Sequence, residues 1–343
     1  MRLNLIAYQF REFDGYGRYV NRVIAALLRA GVDVAPLLYQ HAEMPSWLQA
    51  KLGIDWSVLT ISCLPAYYLL PVPGRHWLYT MTEGSEAPDG WVDIINKSGV
   101  ERVLVPCEYN AEAFRRGGVT APIHVVPGGT DPDEFPLKNG RFTGAYTFLA
   151  LGDRGSRKGW TEVWSAFYKA FGSPTDTPDV RLIIKSRPEG NDLIDRIAEA
   201  TNPDPRVTIW REDVADMTQV YAVADCFVIP SRSEGWGMPH REAAMMGLPV
   251  ITQAHSGMDD GHTADWAMVV YGGKLEPIPG MFKHIKGEWL RADVDALAET
   301  MRRCYDDPEL AAMHGSWAAT WLRTHQTWGH TVQKLCRLIE EYS

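Results

Sequence analysis

The stretch Ile229-Pro-Ser-Arg-Ser-Glu-Gly-Trp-Gly-Met-Pro-His-Arg-Glu-Ala-Ala-Met-Met-Gly-Leu-Pro-Val-Ile251 reads as an apolar strand, a Gly-rich turn, a short helix and a second strand. Gly235 and Gly237 permit close backbone approach. Pro239 suits the first turn of a helix, where a missing N–H costs nothing, and this leaves Gly237 and Met238 to offer free amides toward the carboxyl end of the strand. Open α/β sheets bind ligands at that edge. The expected guest is an anion.

Working outward, the same alternation recurs on both sides. Residues 3–8, 19–29 and 32–38 form a strand, helix, strand opening, in which Val20, Val23, Ile24, Leu27 and Leu28 share one buried helical face and Gly31 ends the helix. Further strands are expected at 58–61, 77–81, 103–105 and 123–126, with helices at 91–97 and 111–116. A second series runs through strands at 148–151, 182–185, 207–209, 227–229 and 250–252. The fold class is therefore α/β, with parallel, doubly wound sheets. Residues 132–144 are polar and rich in Gly and Pro, so the linker falls there and the domains read as 1–142 and 143–343. Beyond residue 290 only helical periodicity remains, ending in a helix whose Val332, Leu335, Cys336 and Ile339 share a face that needs a surface to pack on.

Glu234 and Glu242 bracket the Gly-rich turn. Carboxylates repel phosphate but accept hydrogen bonds from neutral hydroxyls. Two of them beside an anion-binding helix start point to a diphosphate with sugars at both ends, a nucleotide-sugar. The plainer alternative makes Glu234 a helix cap and Glu242 a solvated surface charge.

The segment from Glu234 to Glu242, followed by Ala-Ala-Met-Met-Gly-Leu-Pro-Val-Ile, strongly resembles the Glu-x7-Glu signature of the retaining GT-B glycosyltransferases of family 4. The resemblance implies two Rossmann-like domains facing a central cleft, with an N-terminal acceptor domain, a C-terminal donor domain and a last helix packing back on the first domain. It implies that Glu242 binds the donor ribose, that Glu234 lies against the transferred sugar, and that Gly235, Trp236, Gly237, Met238 and Pro239 line the donor. The implied activity is retaining, metal-independent transfer of a hexose-type sugar from a UDP- or GDP-linked donor to an unidentified hydroxyl acceptor. A nucleotide-sugar epimerase and a non-catalytic nucleotide-sugar binding protein are the alternatives.

Other segments carry the same resemblance. Phe148-Leu-Ala-Leu-Gly-Asp-Arg-Gly-Ser-Arg-Lys-Gly-Trp160 is a strand entering a basic loop that would neutralise a departing diphosphate. Lys158 aligns with the family's Lys-Gly, while Arg154 is displaced by one residue because Asp153 stands where the family has arginine. Lys185, at the end of the next strand, joins the donor set. Phe13-Asp-Gly-Tyr-Gly-Arg-Tyr19 lies where the family has its glycine loop, so Gly15, Tyr16 and Gly17 are expected near the donor. Trp77-Leu-Tyr-Thr-Met-Thr-Glu83 resembles a strand ending in Thr-Met-x-Glu, giving Glu83 a contact with acceptor or sugar, against a rival role as a helix cap. Val105-Pro-Cys-Glu-Tyr-Asn110 and Val125-Val-Pro-Gly-Gly-Thr-Asp131 also resemble family segments, with Cys107 replacing serine and Gly128 replacing histidine.

Composition narrows the classes. The 45% apolar and 22% charged fractions exclude a disordered or collagen-like chain. No apolar run approaches the ~20 residues of a membrane span, and a cytoplasmic location is expected. A net charge of −9 disfavours nucleic acid as a partner, although a modified nucleobase stays open as an acceptor. Cys63, Cys107, Cys226, Cys304 and Cys336 show no C-x-x-C spacing. Asp131-Pro-Asp133 reads as a turn, the histidines show no metal-binding spacing, and neither a metal nor a cofactor is expected. His76, His240 and His255 read as packing or surface residues.

Overall fold

A computed structural model describes residues 1–8, 15–38, 53–138, 140, 144–152, 155–187, 199, 204–282 and 284–342. They divide into two compact units, one of Met1–Gly129, Ile278–Glu288 and Gln326–Ser343, the other of Thr130–Pro277 and Trp289–His325.

In the first unit, β1 (Arg2–Ala7), β2 (Asp33–Leu38), β3 (Thr60–Cys63), β4 (His76–Tyr79), β5 (Arg102–Val105) and β6 (Ile123–Val125) form a six-stranded sheet in the order β2-β1-β3-β4-β5-β6. Every pairing is parallel. Helices α1 (Gly15–Arg29), α2 (Trp91–Lys97) and α3 (Glu108–Gly117) connect the strands. The sheet reverses direction between β1 and β3, because the chain goes first to one side of β1 and then to the other. Strand β3 starts two residues later than the run at 58–61 indicates. Val58 and Leu59 are apolar, but the ladder with β1 begins only at Thr60, opposite Asn4. Helix α1 starts at Gly15, so Gly15, Tyr16 and Gly17 form its first turn and not a loop before it. Glycine is tolerated there because first-turn amides have no intrahelical acceptor.

The second unit repeats the plan with β7 (Tyr146–Leu151), β8 (Val180–Lys185), β9 (Val207–Trp210), β10 (Cys226–Ile229), β11 (Val250–Thr252) and β12 (Met268–Val269), in the order β12-β11-β10-β7-β8-β9. These pairings are parallel as well. Its helices are α4 (Trp160–Phe171), α5 (Met217–Ala222), α6 (Met238–Met245), α7 (Thr263–Trp266), α8 (Val294–Asp306) and α9 (Pro308–His325). Alternate strand residues go to opposite faces. Phe148, Ala150, Leu182, Ile184 and Val228 pack with Trp160, Val163 and Phe167 of α4 and Met301 of α8. Leu149, Phe227, Ile229 and Val250 pack with Tyr221 of α5, Ala243 and Ala244 of α6, and Leu322 of α9. Both faces are covered, which explains why the strands read as unbroken apolar runs. A two-stranded ribbon of β13 (Lys274–Pro277) and β14 (Glu288–Arg291) was not legible, because its residues are mostly charged or exposed.

Helix α10 (Trp328–Glu341) packs on α1 within the first unit. Trp328 is buried and meets Tyr19 edge-on, with centroids 5.0 Å apart. Helix α8 shows how local chemistry sets a boundary: Asp293 Oδ1 accepts the N–H groups of Asp295 at 2.8 Å and Ala296 at 2.9 Å. Asp293→Ala is expected to lower stability by about 1 kcal/mol, read as a shift of the denaturant midpoint. An unchanged midpoint would mean that water replaces the cap.

Candidate active site

In the second unit the order reverses between β7 and β10. The loop leaving β7 turns toward α4 on one face, and the loop leaving β10 turns toward α6 on the other. The carboxyl ends of the two strands are therefore the sheet's switch point, the place at which doubly wound sheets bind ligands. The sequence-predicted residues Lys158 and Glu234 meet there. Lys158 Nζ lies 2.6 Å from Glu234 Oε1, and Ser231 Oγ donates to the same oxygen at 2.6 Å. Arg157 reaches Glu234 Oε2 at 3.1 Å and donates to the Ser233 carbonyl at 2.8 Å. Glycine at 159 makes this meeting possible: a Cβ there would stand 2.1 Å from the Pro230 carbonyl oxygen.

Glu234 is 5% exposed. Burial alone would raise its carboxyl pKa, but Arg157 and Lys158, aided by the Ser231 hydroxyl, overcome that and hold it down at about 2. It is thus a carboxylate at neutral pH. Oε1 is engaged by Lys158 and Ser231, and Oε2 by Arg157, so this group acts as a fixed charge and not as a proton donor. Two cations thus flank one carboxylate.

The backbone of the turn is held as firmly as its side chains. The Glu234 N–H donates to Ser256 Oγ at 2.9 Å, and the Gly257 N–H donates to the Glu234 carbonyl at 2.8 Å. Ser256 holds a φ of 54°, the only positive φ outside glycine among the described residues. Gly237 caps α6 at φ 73°, where a Cβ would lie 2.7 Å from His240 Cε1 and 2.9 Å from Met258 Sδ. Met238 and Pro239 follow as the first two helical residues. Arg241, fully buried, donates to the carbonyls of Trp236, of Gly237 at 3.1 Å and of Gly257 at 3.2 Å, while its guanidinium sits 3.7 Å from the Trp236 ring centroid. Trp236 and Arg241 thereby tie the Gly-rich turn to residues 256–258.

Glu242 is 3% exposed and accepts a hydrogen bond from the Tyr221 hydroxyl at 2.7 Å. It is not a solvated surface charge. Glu234 is not a helix cap either, because Gly237 occupies that position. Lys185 closes β8 opposite Leu151 at the same carboxyl edge, its ammonium donating to the Ser186 carbonyl at 2.6 Å, and burial lowers its pKa. Arg154 lies outside the described residues, as does Asp153.

Of the remaining predicted residues, Gly15, Tyr16, Gly17 and Glu83 belong to the first unit. The Tyr16 hydroxyl donates to the Met81 carbonyl at 3.2 Å and accepts from the Met81 N–H at 3.1 Å. That pair fixes the chain just before Glu83. Glu83 is partly exposed beyond the end of β4 and lies well ahead of Gly90, the cap of α2, so it does not cap that helix. Asp131 accepts from the Asp133 N–H at 3.0 Å, a local turn. His76 is buried 2.8 Å from Ser62 Oγ, and burial pushes its pKa down to about 4. His240 stacks on Trp266 with centroids 5.5 Å apart.

Arg157, Ser231, Ser256, Tyr221 and Arg241 were not singled out as site residues from the sequence. A signal existed for Arg157, which adjoins Lys158. The others become visible only once the fold brings residues distant in sequence together.

Residues 131–263 match the family model described as Glycosyl transferases group 1. That stretch is a glycosyl transferases group 1 domain. The D-inositol 3-phosphate glycosyltransferase of Mycobacterium sp. (strain KMS) is 25% identical over 297 residues, covering 78% of this chain. The matched region spans 66% of that relative's length, just under two thirds. Among solved structures, a glycosyltransferase from Rickettsia africae superposes with a TM-score of 0.74 at 13% identity, over 99% of this chain and 98% of its own. HepE from Anabaena, in complex with UDP and glucose, gives 0.72 at 13% identity over 99% and 100%. These superpositions establish the fold, two Rossmann-like α/β units of the GT-B type.

Proposed function

We propose that the chain is a glycosyltransferase that moves a hexose-type sugar from a UDP- or GDP-linked donor to a hydroxyl acceptor with retention of configuration and without a metal. One observation carries this reading. A buried carboxylate and two cations converge at the switch point of a doubly wound sheet, beside a Gly-capped helix start, inside a glycosyl transferases group 1 domain.

The donor diphosphate would meet Lys158, Arg157 and the amides at the start of α6. As the glycosidic bond to the diphosphate breaks, negative charge grows on the departing oxygen, and these groups stabilise it more in the transition state than in the ground state. The acceptor hydroxyl attacks from the face the diphosphate leaves, and a donor phosphate oxygen takes its proton. Glu234 remains ionised throughout and supports the positive charge that develops on the sugar ring. Glu242, set beside Tyr221, accepts the ribose hydroxyls.

Two measurements test this reading. A thermal-shift panel of UDP, GDP, ADP and their sugar conjugates should show one base preferred, since a ligand at a hundred times its dissociation constant adds ~2.7 kcal/mol. Product analysis by mass and anomeric NMR should then show a glycosylated acceptor with the donor's anomeric configuration. Conversion of donor without acceptor would indicate an epimerase, and binding without turnover a nucleotide-sugar binding protein. Glu242→Gln is expected to weaken UDP or GDP binding about tenfold by removing a charged hydrogen-bond acceptor. Unchanged affinity in calorimetry would reject the ribose assignment.

A further inference from the structure

We infer that the first unit carries an aromatic subsite, built on Tyr8, Tyr67 and Tyr68, that stacks against the ring of a neutral polyhydroxylated acceptor, a sugar or cyclitol; this rests on the glycosyl-transfer reading above. The first sheet has its own switch point, between β1 and β3. Tyr8 follows β1 directly, and the short helical turn Ala66–Tyr68 follows β3. Both stand at the carboxyl edge, where Ala7 pairs with Cys63. The rings of Tyr8 and Tyr68 stack at 4.3 Å and 21° across that point. Tyr67 meets Tyr68 at 84°, with centroids 5.3 Å apart, and is 69% exposed. The three rings make a corner: a stacked pair with a perpendicular, solvent-facing ring beside it.

The chemistry of that corner fits one kind of guest. One face of a pyranose or cyclitol ring presents electron-poor C–H groups, while its hydroxyls project around the rim. The face of a tyrosine carries the negative side of its quadrupole and favours such C–H groups, and its phenol can exchange hydrogen bonds with the rim. Packing does not require Tyr67 to be where it is, since most of its surface is in water. A switch-point crevice is where such an exposed aromatic has a ligand to meet.

The test is saturation-transfer NMR with myo-inositol and methyl α-D-glucopyranoside on the native chain, Tyr67→Ala and Tyr67→Phe. The ring C–H protons of at least one probe should be saturated, with the signal falling at least fivefold in Tyr67→Ala and persisting in Tyr67→Phe. Nucleotide thermal shifts, read in parallel, should be equal in all three proteins. No saturation of either probe, or an unchanged signal in Tyr67→Ala, overturns the proposal. So does Tyr67-dependent sedimentation with phosphatidylglycerol vesicles, which would make the corner a membrane contact. If no nucleotide shifts any of the three proteins, the transfer reading fails on its own, and the saturation result still decides the subsite.

Discussion

Glu234→Gln is expected to lower sugar transfer about a hundredfold while leaving nucleotide binding as tight as in the native chain, or tighter. The carboxylate has two effects that oppose each other. In the proposed transition state it would face positive charge growing on the sugar, so its loss would remove an interaction that strengthens as the bond breaks. Without donor it engages Lys158 at 2.6 Å and Arg157 at 3.1 Å, the cations proposed to meet the diphosphate. A neutral amide removes that negative charge from beside them, which favours UDP or GDP. Steady-state kinetics with calorimetry separate the effects: kcat falls and nucleotide Kd does not rise. Equal losses in both would mean that Glu234 holds the turn together and has no electrostatic part in transfer. The same substitution has a signature in stability. Because the folded pKa of about 2 lies below the ordinary 4.5, the native carboxylate contributes stability that is fully present above pH 4.5 and is lost as pH falls toward 2. The variant should lose less stability over that window.

The physical basis of what was legible is periodicity. Two sheets buried on both faces write nearly every strand as an apolar run, so β11 was bounded as found and β7, β8 and β10 were placed with only their first residues missed. Strand β13 and the ribbon it forms were missed because Lys274 and Leu275 face solvent and leave no apolar pattern. At the site, the resemblance named Lys158 and Glu234, and the fold joins them. Arg157 was read only as part of the same basic loop, since its own role depends on an approach between loops 76 residues apart in sequence. Nor did spacing reveal Arg241: a fully buried arginine inside the Glu-x7-Glu interval serves the turn's carbonyls, and only three-dimensional packing shows why a charge belongs there. Periodicity reports which residues are buried, whereas these polar contacts depend on how separate crossovers come to lie side by side.

Gly159→Ala should expose that dependence with a loss of about 4 kcal/mol, or roughly 10 °C in Tm for a unit of this size, together with loss of the nucleotide thermal shift. Gly159 has φ +69°, a conformation that L residues enter at a cost of about 1 kcal/mol. Most of the loss is steric. A Cβ would stand 2.1 Å from the Pro230 carbonyl oxygen and 2.8 Å from its carbon, and both are backbone atoms with no rotamer through which to retreat. The β7–α4 loop must therefore move off the end of β10. The contacts that cross that gap include Lys158 to Glu234, Arg157 to Glu234 and to the Ser233 carbonyl, and the Arg232 N–H and Ser231 hydroxyl to the Arg157 carbonyl at 2.7 and 3.2 Å. They loosen together, so stability and anion binding should fall in one step. Gly280→Ala, where a Cβ meets nothing within 4 Å, is the control and should change stability by less than about 0.5 kcal/mol. If Gly159→Ala melted like the control and still bound nucleotide, the close approach of the two crossovers would not be what assembles the site, and the pairing of Lys158 with Glu234 would need another cause.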